Sequence, residues 1–219
     1  MTAARRDFLQ PAASAGAVAL APAQVLAKEA SVSDDLPAEQ VRDLLKLEPN
    51  QTCGFVRVTY ASGQKLKAGT LSQPFAAERP VGTALYFMVT PQAPVRLHRI
   101  RNDQLYHYYK GDPLELVLMK VDGSSEKVVI GPDIAAGQHV QFFIPGNTFH
   151  TARIAGRRRW FLGGSTEWPG VVPADVELGD AEALAKKYPA VAVEIRSYST
   201  PAPWRSPTAS APGRSPARP

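Results

Sequence analysis

Between residues 55 and 165 the chain switches repeatedly and at short intervals between β-branched or aromatic runs and turn-forming residues, and few folds accommodate that rhythm. Strand-like segments run Phe55–Tyr60, Thr83–Thr90, Val95–Arg99, Leu105–Tyr109, Leu114–Val121, Glu126–Ile130, His139–Ile144 and Arg159–Ser165. Pro91, Gly111-Asp112-Pro113, Asp122-Gly123, Gly131-Pro132 and Pro145-Gly146 punctuate them. So many short antiparallel strands would leave too many unpaired edges in one open sheet. A closed β-barrel or a double-sheet jelly roll removes them. Short helices are expected on both sides, at Pro37–Leu45 with Val41, Leu44 and Leu45 on one face, and at Asp180–Tyr188 with Asp180 as N-cap and Pro189 beyond. The fold class is all-β with short flanking helices.

The ends read differently. Ala4-Arg5-Arg6-Asp7-Phe8-Leu9 precedes a weakly apolar, Ala-rich stretch ending at Val25-Leu26-Ala27. That order resembles a twin-arginine export signal over 1–27, which implies a periplasmic or extracellular destination. A linker at 28–36 leads into a domain at 37–199. Residues 200–219 interleave proline with Ser, Ala and Arg, a composition that cannot bury enough apolar surface to order itself, so a disordered tail is expected.

The net charge of +5 belongs mainly to these ends, because Arg205, Arg214 and Arg218 stand in the tail without an acid and Arg5 and Arg6 outnumber Asp7. A near-neutral domain offers no electrostatic footprint for nucleic acid, and Arg157-Arg158-Arg159 reads as a solvated turn. No apolar run approaches the ~20 residues of a membrane span. Cys53 is the single cysteine, so no intramolecular disulfide forms, and nothing around it signals a nucleophile.

Two windows carry the chemistry: Val95-Arg-Leu-His98 through Gln104, His107 and Gly111, and Gly137 through Pro145-Gly-Asn-Thr-Phe-His150. His98, Gln104 and Gly111 fall on the spacing of the first cupin motif, and Pro145 and His150 fall near the second. The chain resembles the cupins, and within them the cupin-5 (DUF985) group. Shared phrases include Leu45-Lys-Leu47-Glu-Pro49, Gly54-Phe55-Val-Arg57-Val-Thr59-Tyr60, His107-Tyr-Tyr109-Lys-Gly111-Asp112-Pro113 and Gly131-Pro132-Asp133. The chain departs from the group at four places. Glu48-Pro49-Asn50-Gln51-Thr52-Cys53-Gly54 replaces the group's His-Pro-Glu-Gly-Gly segment, Val58 stands for an acid, Gln104 stands for Glu, and His150 stands where Gln is common. Ile100 replaces the second His of the first motif.

The resemblance implies a cupin-type β-barrel (double-stranded β-helix or jelly roll) and a homodimer. It also implies a set of metal ligands, His98, Gln104 and His150, suited to iron, manganese, nickel or zinc. His98 and His150 are the candidate general acid–base groups, since imidazole titrates near neutrality. Tyr108 or Tyr86 is placed to donate a proton, and Arg57 and Arg99 to pair with a ligand carboxylate or phosphate. His107 is a further candidate ligand contact, although strand alternation sets it opposite Gln104 unless a bulge re-aims it. The expectation is an exported protein that holds a small polar molecule, sugar-like or acidic, in its barrel. It is either a metal-assisted isomerase, epimerase or lyase, or a metal-free, non-catalytic binder.

Overall fold

The computed structural model describes residues 36–75, 77–156 and 159–199. The leader, nearly all of the linker, the tail and Arg157-Arg158 lie outside them. Thirteen strands follow the first helix, α1 (Ala38–Leu45): β1 (Glu48–Pro49), β2 (Phe55–Ala61), β3 (Lys65–Leu66), β4 (Arg79–Pro80), β5 (Thr83–Val89), β6 (Val95–Ile100), β7 (Asp103–Gly111), β8 (Leu114–Met119), β9 (Ser125–Ile130), β10 (Gln141–Ile144), β11 (Phe149–Ile154), β12 (Phe161–Trp168) and β13 (Val176–Leu178). Then come α2 (Ala181–Lys187) and α3 (Ala192–Ser199).

The strands form two antiparallel sheets, ordered β1-β2-β5-β12-β7-β10 and β13-β6-β11-β8-β9, with β3 and β4 as a separate hairpin. Each sheet turns one face inward. Phe87, Val89, Tyr106, Ile144 and Phe161 of the first meet Val95, Leu114, Leu116, Leu118, Ile130 and Ala152 of the second in one buried core. Burying these inward side chains supplies the main driving force of the fold. Among the described residues the two sheets share no hydrogen-bonded strand pair, so of the two architectures expected, the double-sheet jelly roll is the one formed.

Both outer faces are partly covered. Leu97, Val117 and Met119 of the second sheet pack against Leu184, Tyr188, Val191, Ile195 and Tyr198 of the C-terminal helices. Val41 and Leu47 at α1 pack with Phe55, Met88 and Trp160 on the first. Asp180 caps α2 by accepting from Ala183 N at 2.9 Å. Leu44, expected on the buried face of α1, points to solvent. The expected strands omitted β11, and α3 was not foreseen.

Three bulges interrupt the sheets. They shift the registers between Val58 and Tyr60 of β2, between His150 and Ala152 of β11, and between Leu162 and Gly163 of β12. The first follows Val58, which alternation from Val56 sets on the inner side opposite Leu85. The second leaves His98 and His150 directly paired across β6 and β11.

Candidate functional site

The direct pairing of His98 and His150 brings their rings to 4.3 Å between centroids. Both side chains are buried. Each Nδ1 faces the backbone carbonyl two residues earlier, His98 toward Arg96 O at 2.7 Å and His150 toward Thr148 O at 3.1 Å. A carbonyl only accepts, so each Nδ1 carries the proton and each Nε2 is left as an acceptor. Tyr106 Oη donates to His150 Nε2 at 3.1 Å, and the Cys53 thiol lies 3.9 Å from His98 Nε2.

Burial makes this arrangement self-consistent. Desolvation lowers His98 to about 4, and desolvation with the neighbouring His98 holds His150 well below the usual imidazole value. Burial likewise pushes the Cys53 thiol up to about 11 and raises the Tyr106 phenol. Thiol and phenol therefore stay protonated donors while both imidazoles stay neutral acceptors. A neutral imidazole with so low a pKa is a weak base and supplies no proton near neutrality, so neither ring is tuned for acid–base work there.

The same geometry tests the metal set expected from the resemblance. A metal between the imidazoles would need the Nε2 lone pairs, one of which already accepts from Tyr106 and the other of which faces the Cys53 thiol. Gln104 adds only a neutral amide. Among the described residues no group of three His, Cys, Asp or Glu side chains gathers where it could hold one ion. The residues present do not fit a resident metal.

His98, Gln104, Tyr106 and Cys53 instead line one side of a cavity of about 320 Å³ between the sheets. Val56, Leu85, Phe87 and Ile100 make its apolar wall, and Val171, Val172, Pro173 and Val176 close it from the segment before and into β13. The exposed Val58 and Asn50 mark its open side. Asn50 Oδ1 accepts from Thr52 N, Thr52 Oγ1 and Cys53 N, a local turn that sets Cys53 at the cavity edge.

One cavity residue escaped the sequence reading. Glu167 sits on β12, directly opposite Gln104 of β7, with only 2% of its surface exposed. Ser165 Oγ donates to its Oε1, and Thr83 Oγ1 donates to its Oε2 at 2.7 Å. Burial raises its pKa, and the two hydroxyls hold it back toward the ionised form. Strand alternation from Phe161 through Gly163 and Ser165 would have placed Glu167 inward. The expected strand ended two residues too soon.

The other candidate residues lie away from the cavity. Tyr108 points inward, but its hydroxyl donates to Gly111 O at 2.8 Å within the core. Arg57 donates to Leu45 O at 3.1 Å on the outer side of the first sheet. Arg99 pairs with Glu177 at 2.7 Å and lies over the Phe149 ring. Tyr86 packs edge-on against Tyr109, and the His107 ring stacks on the same tyrosine. His107 contacts Thr166 Oγ1 at 3.0 Å and Gln141 Nε2 at 3.1 Å. The bulge in the β7–β12 register falls beyond His107, which keeps the outward aim that alternation gave it. His98, Gln104 and His150 are the expected residues that the fold does bring together.

A two-sheet jelly roll with a ligand-sized cavity between its sheets is the architecture expected of a cupin. More narrowly, the family model described as Cupin superfamily (DUF985) matches residues 39–179, and the chain belongs to that family. A hypothetical protein from Leishmania major superposes with a TM-score of 0.67 at 24% identity, over 74% of this chain and 98% of that one. A protein from Shewanella oneidensis does so with a TM-score of 0.65 at 24% identity, over 76% and 99%. At that identity these likenesses speak for the fold alone. No curated protein matches the chain. No helix among the described residues is long and apolar enough to cross a membrane.

Proposed function

We propose that the protein binds a small molecule between its sheets without a resident metal, the simpler of the two readings that the sequence left open. The observation that carries this is the cavity of about 320 Å³, in which His98, Tyr106, Cys53 and Gln104 are neutral and Glu167 is the one acidic group, with no set of three His, Cys, Asp or Glu ligands among the described residues. The volume suits a small metabolite. The residues lining it include no Lys or Arg, so the acidic ligands first entertained have no cation to meet there. Export from the cytoplasm and a homodimer are part of this proposal, on the strength of the Arg5-Arg6 leader pattern and the resemblance to cupins.

The test is to purify the full chain, release its contents by denaturation, and analyse them by mass spectrometry alongside elemental analysis. A co-purifying organic molecule that is lost in Ile100→Trp, with metal far below one per chain, is the expected result. Stoichiometric iron, manganese, nickel or zinc that disappears in His98→Ala would overturn it. Sequencing the N-terminus of exported material and measuring the mass in solution by light scattering check the export and the homodimer.

A further inference from the structure

Glu167 is a buried carboxylate without a counter-charge. Its contacts come from hydroxyls alone, Ser165 on its own strand and Thr83 on β5. Its other neighbours offer no positive charge either: Gln104 and Tyr106 on β7, Cys53 ahead of β2, and His98 on β6 are all neutral. Among the described residues it forms no ion pair with Lys, Arg or His, and the residues lining the cavity include no other charged side chain. Each of its oxygens accepts one hydroxyl and retains a second lone-pair direction. A buried charge in this condition is costly to keep unless something pairs with it.

The rest of the lining says what the pairing group is attached to. Val56, Leu85, Phe87, Ile100, Val172 and Val176 make most of the remaining wall hydrocarbon, which favours an apolar body. Among the described residues Glu167 belongs to no group of three His, Cys, Asp or Glu side chains that could hold a metal ion. An organic cation satisfies both halves, because its ammonium donates to a carboxylate while its hydrocarbon displaces water from the apolar wall.

Resting on the reading of the cavity as a small-molecule site, we propose that its ligand is a small, largely apolar amine whose protonated nitrogen pairs with Glu167. Glu167 is then the residue that sets ligand charge, and Ser165 and Thr83 hold its two oxygens in place.

Three probes of nearly equal shape separate this from its rivals: benzylammonium, benzyl alcohol and benzoate, titrated calorimetrically into the full-length protein at pH 7.5. The expected order is benzylammonium tightest, by about tenfold or more over benzyl alcohol, with benzoate weakest; tenfold corresponds to about 1.4 kcal/mol. Glu167→Gln, which keeps shape and one acceptor oxygen, is expected to bring benzylammonium down to the alcohol. The wild-type order alone is decisive if that variant does not fold. Equal binding of all three, or a preference for benzoate, abolished by Ile100→Trp, would overturn the charge assignment while leaving the cavity reading standing. Failure of all three to bind would overturn both.

Discussion

His98 and His150 show how far a residue's type is from its state. As free imidazoles both would titrate near neutrality, but here each is sealed beside the other with its Nδ1 spent on a carbonyl. The unfolded chain accepts protons at these positions below about pH 6.5, whereas folded His98 refuses its proton until about pH 4. Its contribution is therefore fully present above pH 6.5 and is lost as pH falls toward 4, about 3 kcal/mol from His98 alone. His150 adds in the same direction. Glu167 works the other way, since a raised carboxyl costs stability as pH climbs from the usual carboxylate range to its own value. Urea midpoints are expected to fall steeply from pH 6.5 to pH 4, and carbon-13 shifts of the His98 ring to stay at their neutral values until about pH 4. A ring titrating near 6.5 would show that the pair is open to water. The sequence could supply the pairing of these histidines but not their state, because desolvation is a property of what surrounds them.

At the scale of elements, the cavity depends on a buried ion pair that joins two distant pieces of chain. Arg79 of β4 donates to Asp175 at 2.7 Å, and both side chains are nearly inaccessible. Asp175 Oδ2 also accepts from Val172 N at 2.9 Å, and its backbone oxygen accepts from Arg101 N at 3.1 Å. The segment that carries Val172 and Pro173 over the cavity is thereby tied to the β3–β4 hairpin and to the end of β6. Removing one partner leaves the other charge buried and unpaired, so Arg79→Met is expected to cost about 3–5 kcal/mol, read from denaturant unfolding. Amide exchange should quicken across residues 169–176, and Arg79→Met with Asp175→Leu should recover much of the loss. A second constraint sits next to Cys53. Gly54 holds φ +62°, and a Cβ there would lie 2.4 Å from Met88 O and 2.8 Å from Ala93 O. Gly54→Ala is expected to lower stability by about 1–3 kcal/mol, measured by thermal unfolding, because backbone on both sides must move. β11 shows why a strand can be hard to see from its own residues. Ala152 and Arg153 dilute its β-character, and it is strand because β6 and β8 pair with it on either side.

For the whole molecule, several of the positions read from the sequence as departures from the cupin-5 pattern turn out to be neighbours. Asn50, Thr52, Cys53, Val58, Gln104 and Ile100 all line the cavity, and His150 stands against it through Tyr106 and His98. Val56 and Val58 of the shared Gly54–Tyr60 phrase line it as well, so those phrases made the architecture legible, while the pocket's contents depend on which side chains face one another across the sheets. Glu167 was missed for a related reason, since its meaning depends on facing Gln104 across a strand pair far away in sequence. The same long-range packing defines where the folding unit ends. Leu36 O accepts from Trp160 Nε1 at 2.8 Å, and Val41 and Leu47 complete that cluster. At the far end, Val191, Ile195 and Tyr198 are buried over β6 and β8. A chain spanning 35–199 is therefore expected to unfold cooperatively with a Tm within about 2 °C of the full chain, a difference of no more than about 1 kcal/mol for a domain of this size. A chain ending at residue 190 loses Val191, Ile195 and Tyr198 and uncovers Leu97, Val117 and Met119. Burying each large side chain is worth roughly 1.5–3 kcal/mol, so that deletion is expected to exceed a stability of about 5–15 kcal/mol or nearly so. Calorimetry on the two truncations settles the boundary: an unchanged, cooperative transition in the shorter chain would mean that α3 is an ornament on the jelly roll and not part of its core.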